Sequence, residues 1–401
     1  MLAELLRLSP PRLRSSPDAE DDLRSATWLE LFFDLVFVVA IAELAHVLSA
    51  DVSIPGVVAF LALFVPTWWA WVGSTFYATR FDTDDVVHRL FTVAEMFAVA
   101  ALAVSIHDGL AASASFALAY AGVRGVLVLK YLGASHFVPV ARPLTRRYAA
   151  GFAVAAGLWA LSAFVPPPAR YALWGVGLLV DFGTPISAGQ LHARIPPHAE
   201  HLPERFGLFT IIVLGESVLA VVSGVAEVAW TPFSVLAAAF ALLVAVSVWW
   251  VYFDRHSGVT IDASAREGRV LVYEGWLYAH LPLVVGLTAA GVGVEHALTA
   301  DLTAPLAAAD CWLLCGAVAT CLAAIGVVQW TTTTAAHERG RSLAAVRAGG
   351  GVLVLLLAPL GRWLPAVALV GTVAILCVAQ VGYDLRARLT EVEGSDAAVE
   401  P

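Results

Sequence analysis

Charge is scarce along this 401-residue chain: Asp, Glu, Lys and Arg make up 14% of it, against 60% hydrophobic residues, and mean hydropathy is +0.80. A soluble globule of this length needs a more charged surface, so that class is excluded. Basic clusters are missing too, which removes nucleic-acid binding, because no face could neutralise a row of phosphates. The net charge of −9 rests partly on acidic tails and names no partner. Cysteine is limited to Cys311, Cys315, Cys321 and Cys377, all inside apolar segments, so no disulfide framework is expected. The N-terminus carries arginines but no sustained apolar stretch before residue 28, unlike a cleavable signal peptide. Walker A, Gly-x-Ser-x-Gly, Gly-x-Gly-x-x-Gly and His-Glu-x-x-His are absent. ATP-driven transport and the commoner hydrolase and dehydrogenase chemistries therefore lack their apparatus, and neither cofactor nor metal is expected.

What is present is apolar sequence of bilayer length. A spanning helix needs ~20 mostly apolar residues, because each backbone N–H and C=O must be paired inside the membrane. Twelve such spans are expected, at 28–49, 55–79, 89–107, 113–132, 148–165, 169–191, 206–225, 231–253, 270–294, 305–328, 343–360 and 363–384. The chain thus reads as an all-α polytopic transmembrane bundle. An acidic tail (1–27) precedes a six-helix half (28–191), a connecting loop (192–205), a second six-helix half (206–384) and a C-terminal tail (385–401). With the N-terminus cytoplasmic, 20 of the 23 Lys and Arg fall on the cytoplasmic side, which predicts that both termini are inside.

Three acidic landmarks recur in order. Glu43, Phe81-Asp82 and Glu95 in the first half are followed by Glu216, Phe253-Asp254 and Glu274 in the second. This order suggests a parallel repeat of two six-helix halves.

Carboxylates inside spans are rare and expensive, so they are the best pointers to function. Glu30 and Asp34 share one face of the first span, while Glu43 and His46 point nearly the opposite way, which predicts a central position for that helix. Glu43-Leu-Ala-His46 also has the Glu-x-x-His spacing of di-iron bundles, but no second copy lies in a span, so no metal site is assigned. Pro185 and Pro282 cannot bond the carbonyls of Asp181 and Tyr278, leaving acceptors near Asp181 and near the group Glu274, Tyr278, His280. Arg124, in mid-span, costs at least ~2.5 kcal/mol unpaired, so a partner is expected among Asp34, Glu95 and Asp181. His198-Ala-Glu-His201 reads as a solvated loop. Trp68, Trp69, Trp71, Trp249 and Trp250 read as interfacial belts, with Trp68 and Trp69 deep for that role.

The segment Glu30-Leu-Phe-Phe-Asp-Leu-Val-Phe-Val-Val-Ala-Ile41 resembles the opening signature of the bacterial low-temperature-requirement A family. Arg205-Phe through Thr210-Ile-Ile-Val-Leu-Gly-Glu-Ser217, Trp249-Trp-Val-Tyr-Phe-Asp254 and Tyr278-Ala-His-Leu-Pro-Leu283 match later parts of the same pattern. The resemblance implies a multi-span inner-membrane protein and brings no settled activity. From the residues, the expected function is secondary transport or an ion pathway. Its candidate ion- or substrate-binding residues are Asp34, Glu43, His46, Glu95, Arg124, Asp181, Glu216, Glu274, Tyr278 and His280. Glu43, Glu216, Glu274, His46 and His280 are expected to form a connected polar path. A structural or regulatory role and an intramembrane enzyme stay open as alternatives. The expected partners are membrane lipids and a small solute or ion.

Overall fold

Each apolar run folds as a helix, since in a medium without water only a helix closes every backbone hydrogen bond within one segment. The computed structural model describes residues 11–13, 27–82, 86–189, 191, 195, 197–198, 201–254, 270–332 and 337–399, with the backbone alone at 82, 270–271, 337–340 and 390–399. The N-terminal acidic tail apart from residues 11–13, the side chains of Asp82 and of the acidic residues after 389, residues 199–200 and the basic segment 255–269 lie outside the described residues.

Among the described residues there are twelve long helices: α1 Trp28–Ala50, α2 Ile54–Arg80, α3 Val86–His107, α4 Ser113–Phe137, α5 Arg142–Ser162, α6 Ala169–Ile186, α7 His201–Ala226, α8 Pro232–Phe253, α9 Val270–Thr299, α10 Ala308–Thr332, α11 His337–Leu360 and α12 Ala366–Val399. Ten are long and apolar enough to cross a membrane. The other two, α5 and α6, are less apolar than the twelve-span reading expects: α5 opens with Arg142, Arg146 and Arg147, and the 18 residues of α6 include Arg170 and Asp181. Among the described residues, extended structure is confined to a two-residue pairing of Arg12–Leu13 with Phe81–Asp82 and a single bridge, Pro305 to Pro365.

The chain divides into two compact units, one of residues 1–47, 54–209 and 262–270, the other of residues 48–53, 210–261 and 271–401. In the first, α4 packs against α2, α3 and α5, and α5 against α6. In the second, α10 packs against α8 and α11, and α12 against α8 and α11.

The tryptophans of α2 do not form a belt. Trp68, Trp69 and Trp71 are buried; Trp71 stacks on Phe209 with ring centroids 4.1 Å apart, and Trp69 on Phe182 at 4.1 Å. Such rings fill the core at little entropic cost while their N–H groups seek acceptors. Nor is α1 enclosed on both sides. Phe33, Asp34, Phe37, Ile41 and Leu44 are buried, whereas Phe32, Leu35 and Val39 stand 57%, 53% and 55% exposed. The second polar pair of α1 is instead accommodated near the end of the helix.

Candidate functional site

Thr27 and Glu30 begin α1 with a reciprocal cap: the Thr27 N–H donates to Glu30 Oε2 (2.8 Å) and the Glu30 N–H to Thr27 Oγ1 (3.2 Å). The cap fixes the glutamate at the helix start, and one turn later Asp34 faces the core. Trp71 Nε1 donates to Asp34 Oδ1 at 2.8 Å, and Arg205 Nη2 donates to the same oxygen at 2.6 Å. Arg205 and His201 lie one turn apart at the start of α7. His201 approaches Glu30 Oε1 and Glu204 Oε2, each at 3.3 Å. His201 is therefore buried rather than solvated, because it opens α7 instead of lying in a loop.

Beside this network, Glu95 of α3 accepts from Ser74 of α2 and Lys130 of α4. A crevice of about 20 Å³ between the two networks is lined by Glu30, Ser74, His88, Thr92, Lys130 and Arg205 among others, which is room for about one water. Around it, Nε and Nη1 of Arg205, Oδ2 of Asp34 and Oγ1 of Thr92 are buried without a hydrogen-bond partner among the described residues. Glu30 lines the crevice directly, while Asp34 and Glu95 are bonded to the two cations that line it, Arg205 and Lys130.

Of the three carboxylates expected near Arg124, Asp181 is the one in reach, with Nε 3.4 Å from its Oδ1. Tyr120 joins the two more firmly: its hydroxyl donates to Asp181 Oδ2 (2.7 Å) and accepts from Arg124 Nε (2.9 Å). All three are fully buried, and Nη1 and Nη2 of Arg124 have no acceptor among the described residues. The guanidinium lies 5.1 Å from the ring centres of Tyr120 and Phe152. Those π faces offset part of its desolvation. Gly73 makes room for it, since a Cβ there would lie 2.6 Å from Nη1.

Glu43 accepts from or donates to His107 Nδ1 at 2.8 Å, and His46 stacks on His107 with centroids 5.6 Å apart. In the second unit, His280 is buried between the Trp276 carbonyl (2.8 Å from Nδ1) and Tyr252 Oη (2.9 Å from Nε2), which places a proton on Nδ1. Glu216 and Glu274 are half-buried and make no hydrogen bond or ion pair among the described residues, and Tyr278, one turn after Glu274 on α9, is half-buried. Within the first unit Glu43 groups with His46 and His107, and within the second His280 groups with Tyr252.

The second unit has its own buried ion pair. Arg347 donates to Asp384 through Nη2 (2.5 Å), to Gln380 Oε1 through Nη1 (2.8 Å) and to Gln329 Oε1 through Nε (3.3 Å). Ser49 Oγ, His296 and Asp310 also line up, at 3.0 Å and 2.7 Å. This order matches a hydrolase triad, but Ser49 sits in the last turn of α1, where carbonyls and the negative end of the helix dipole oppose an oxyanion. The trio is a clamp between helix ends. In the connections, Asp51 and Asp301 are held below the usual carboxylate range by hydrogen bonds from Ser53 and Thr303. Among the described residues no group of three or more His, Cys, Asp or Glu is placed to hold a metal.

Lys130, Arg205 and Arg347 escape a sequence reading because a basic residue near a span end looks like a cytoplasmic anchor. The available signal was position, since Arg347 falls four residues inside the expected span 343–360.

The sequence pattern of the bacterial low temperature requirement A protein (LtrA) matches residues 25–381. An uncharacterized protein of Rhizobium meliloti (strain 1021) is 29% identical over 289 residues, covering 69% of this chain and 70% of that protein. The crevice residues all fall inside the matched range.

Proposed function

This chain belongs to the bacterial low temperature requirement A family, and on that footing we propose that it is a secondary transporter or ion pathway in which carboxylates within the membrane take up a proton or monovalent cation. One observation carries the reading: Glu30, Arg205 and Lys130 line one crevice, and Asp34 and Glu95 are bonded to those two cations, so that among the described residues of these two networks three carboxylates meet two permanent cations. The odd negative charge is costly in hydrocarbon, so a proton or monovalent cation must balance it. His201 is the group placed to pass a proton, since its two ring nitrogens face Glu30 and Glu204, each at 3.3 Å. Asp181 with Arg124, Glu43 with His46, and Glu216, Glu274, Tyr278 and His280 are the further candidate stations.

A six-plus-six repeat belongs to the same proposal. It is supported by matching helix pairs in the two units, α4 with α5 as α10 with α11, α2 with α4 as α8 with α10, and α5 with α6 as α11 with α12. Repeats of this kind are a common frame for alternating access.

The test is proton flux in proteoliposomes carrying a trapped pH dye under an imposed potential. Glu30→Gln and Glu95→Gln should each lower flux at least tenfold, and Glu95→Gln combined with Lys130→Met, which keeps the charge balanced, should be equally inactive while folding normally. Flux unchanged in these variants and in Glu216→Gln and Glu274→Gln would leave the carboxylates a structural role. That second reading has its own support in the fully bonded Arg347 network.

A further inference from the structure

On the exposed side of α1, a groove of about 430 Å³ runs between α1 and α3, lined by Phe32, Leu35, Val36, Val39, Glu43, Ala100, Ala103 and Val104. Its walls are aliphatic or aromatic, and two alanines on α3 form its floor. At one end stands a single carboxylate. Eleven residues of helix separate Phe32 from Glu43, about 16 Å, and one leaflet of a ~30 Å hydrocarbon core is about 15 Å deep. The groove is therefore as long as one acyl chain's path from headgroup to midplane. Its polar end lies where a headgroup would, because Glu43 is bonded to the last residue of α3 and is seven residues from the end of α1.

The polar end has unused capacity of both signs. Glu43 is 30% exposed; its Oε2 meets His107 Nδ1, while its Oε1 has no hydrogen-bond partner among the described residues. His46 and His107 are exposed, with rings stacked 7° from parallel. A neutral His46 can offer one N–H, and His107, whose Nδ1 faces Glu43, offers a second from Nε2 when its ring is protonated. A carboxylate acceptor beside two imidazoles complements a headgroup that carries both an ammonium with N–H donors and a phosphate. We propose that this groove is a binding site for one phospholipid bearing a primary-amine headgroup. Glu43 accepts from the ammonium, His46 and His107 contact the phosphate, and one acyl chain lies along Ala100 and Ala103. A quaternary ammonium has no N–H to give Glu43, and a glycerol headgroup has no cation.

The test is native mass spectrometry of the full chain after reconstitution with equal phosphatidylethanolamine, phosphatidylcholine and phosphatidylglycerol and a graded detergent wash. Wild type should retain one phosphatidylethanolamine per chain, at least fivefold above the other two. Glu43→Gln should abolish that preference, and Ala103→Leu, which fills the groove, should remove the retained lipid with an unchanged melting temperature. Equal retention of the three lipids by wild type, or an undiminished preference in Glu43→Gln, would overturn the headgroup assignment. A dimer that Ala103→Leu dissociates would give the groove to a second copy and overturn the proposal entirely.

Discussion

Arg347 and Arg124 show two ways of keeping a guanidinium inside a membrane protein. Arg347 spends its donors on Asp384, Gln380 and Gln329, all fixed on neighbouring turns. Arg124 uses only Nε, reaching Tyr120 and, more loosely, Asp181, and leans on aromatic faces for the rest. Removing one member of a fully buried pair strands the other, which typically costs roughly 3–5 kcal/mol, whereas replacing both with apolar residues of similar size is far milder. Arg347→Met should therefore lower the apparent melting temperature in detergent clearly more than Arg347→Met with Asp384→Leu does. A double variant less stable than the single would mean that the pair contributes net stability. The sequence shows that these charges exist and that each needs an answer, since ionised groups in hydrocarbon are costly. It does not show which partner answers, because Asp34, Glu95 and Asp181 are chemically equivalent choices for Arg124 until helix packing selects one.

At the scale of the element, helix positions were legible and helix ends less so. Spans follow from apolar length alone, but α5 starts at Arg142 and α7 at His201, several residues earlier than hydropathy indicates. Polar first turns can be helical wherever a protein interior or a cap meets their backbone groups, and a hydropathy window cannot see that. Close helix packing is equally invisible to hydropathy and rests on small residues. A Cβ on Gly293 of α9 would lie 2.8 Å from the Leu314 Cα of α10, a backbone atom that cannot swing aside. Gly293→Ala should force the two helices apart and cost about 1–3 kcal/mol, read as a lower melting temperature. Gly316→Ala, at a helical glycine with nothing within 4 Å of its Cβ position, should be close to neutral.

For the whole molecule, the distribution of Lys and Arg predicts that both termini are cytoplasmic, and reporters fused after residue 110 and after residue 145 should then report opposite sides of the membrane; matching signals would reject that orientation. Part of the asymmetry behind this prediction comes from Arg80, Lys130, Arg205 and Arg347, which are buried rather than solvated, so the half-buried Arg142 and the exposed Arg146 and Arg147 carry more of it. The sequence by itself determined the membrane class, the all-helical architecture and the placement of acids within spans. These depend on composition and local length, which a bilayer translates directly into helices. Only the tertiary structure decided that Glu30, Arg205 and Lys130 line one crevice with Asp34 and Glu95 bonded to the two cations, that Asp181 answers Arg124, and that Glu43 ends an apolar groove. Those facts depend on how each helix is rotated about its axis and which neighbour it meets. Rotation and partner choice are set by interdigitating side chains across many helices at once, so no single segment encodes them.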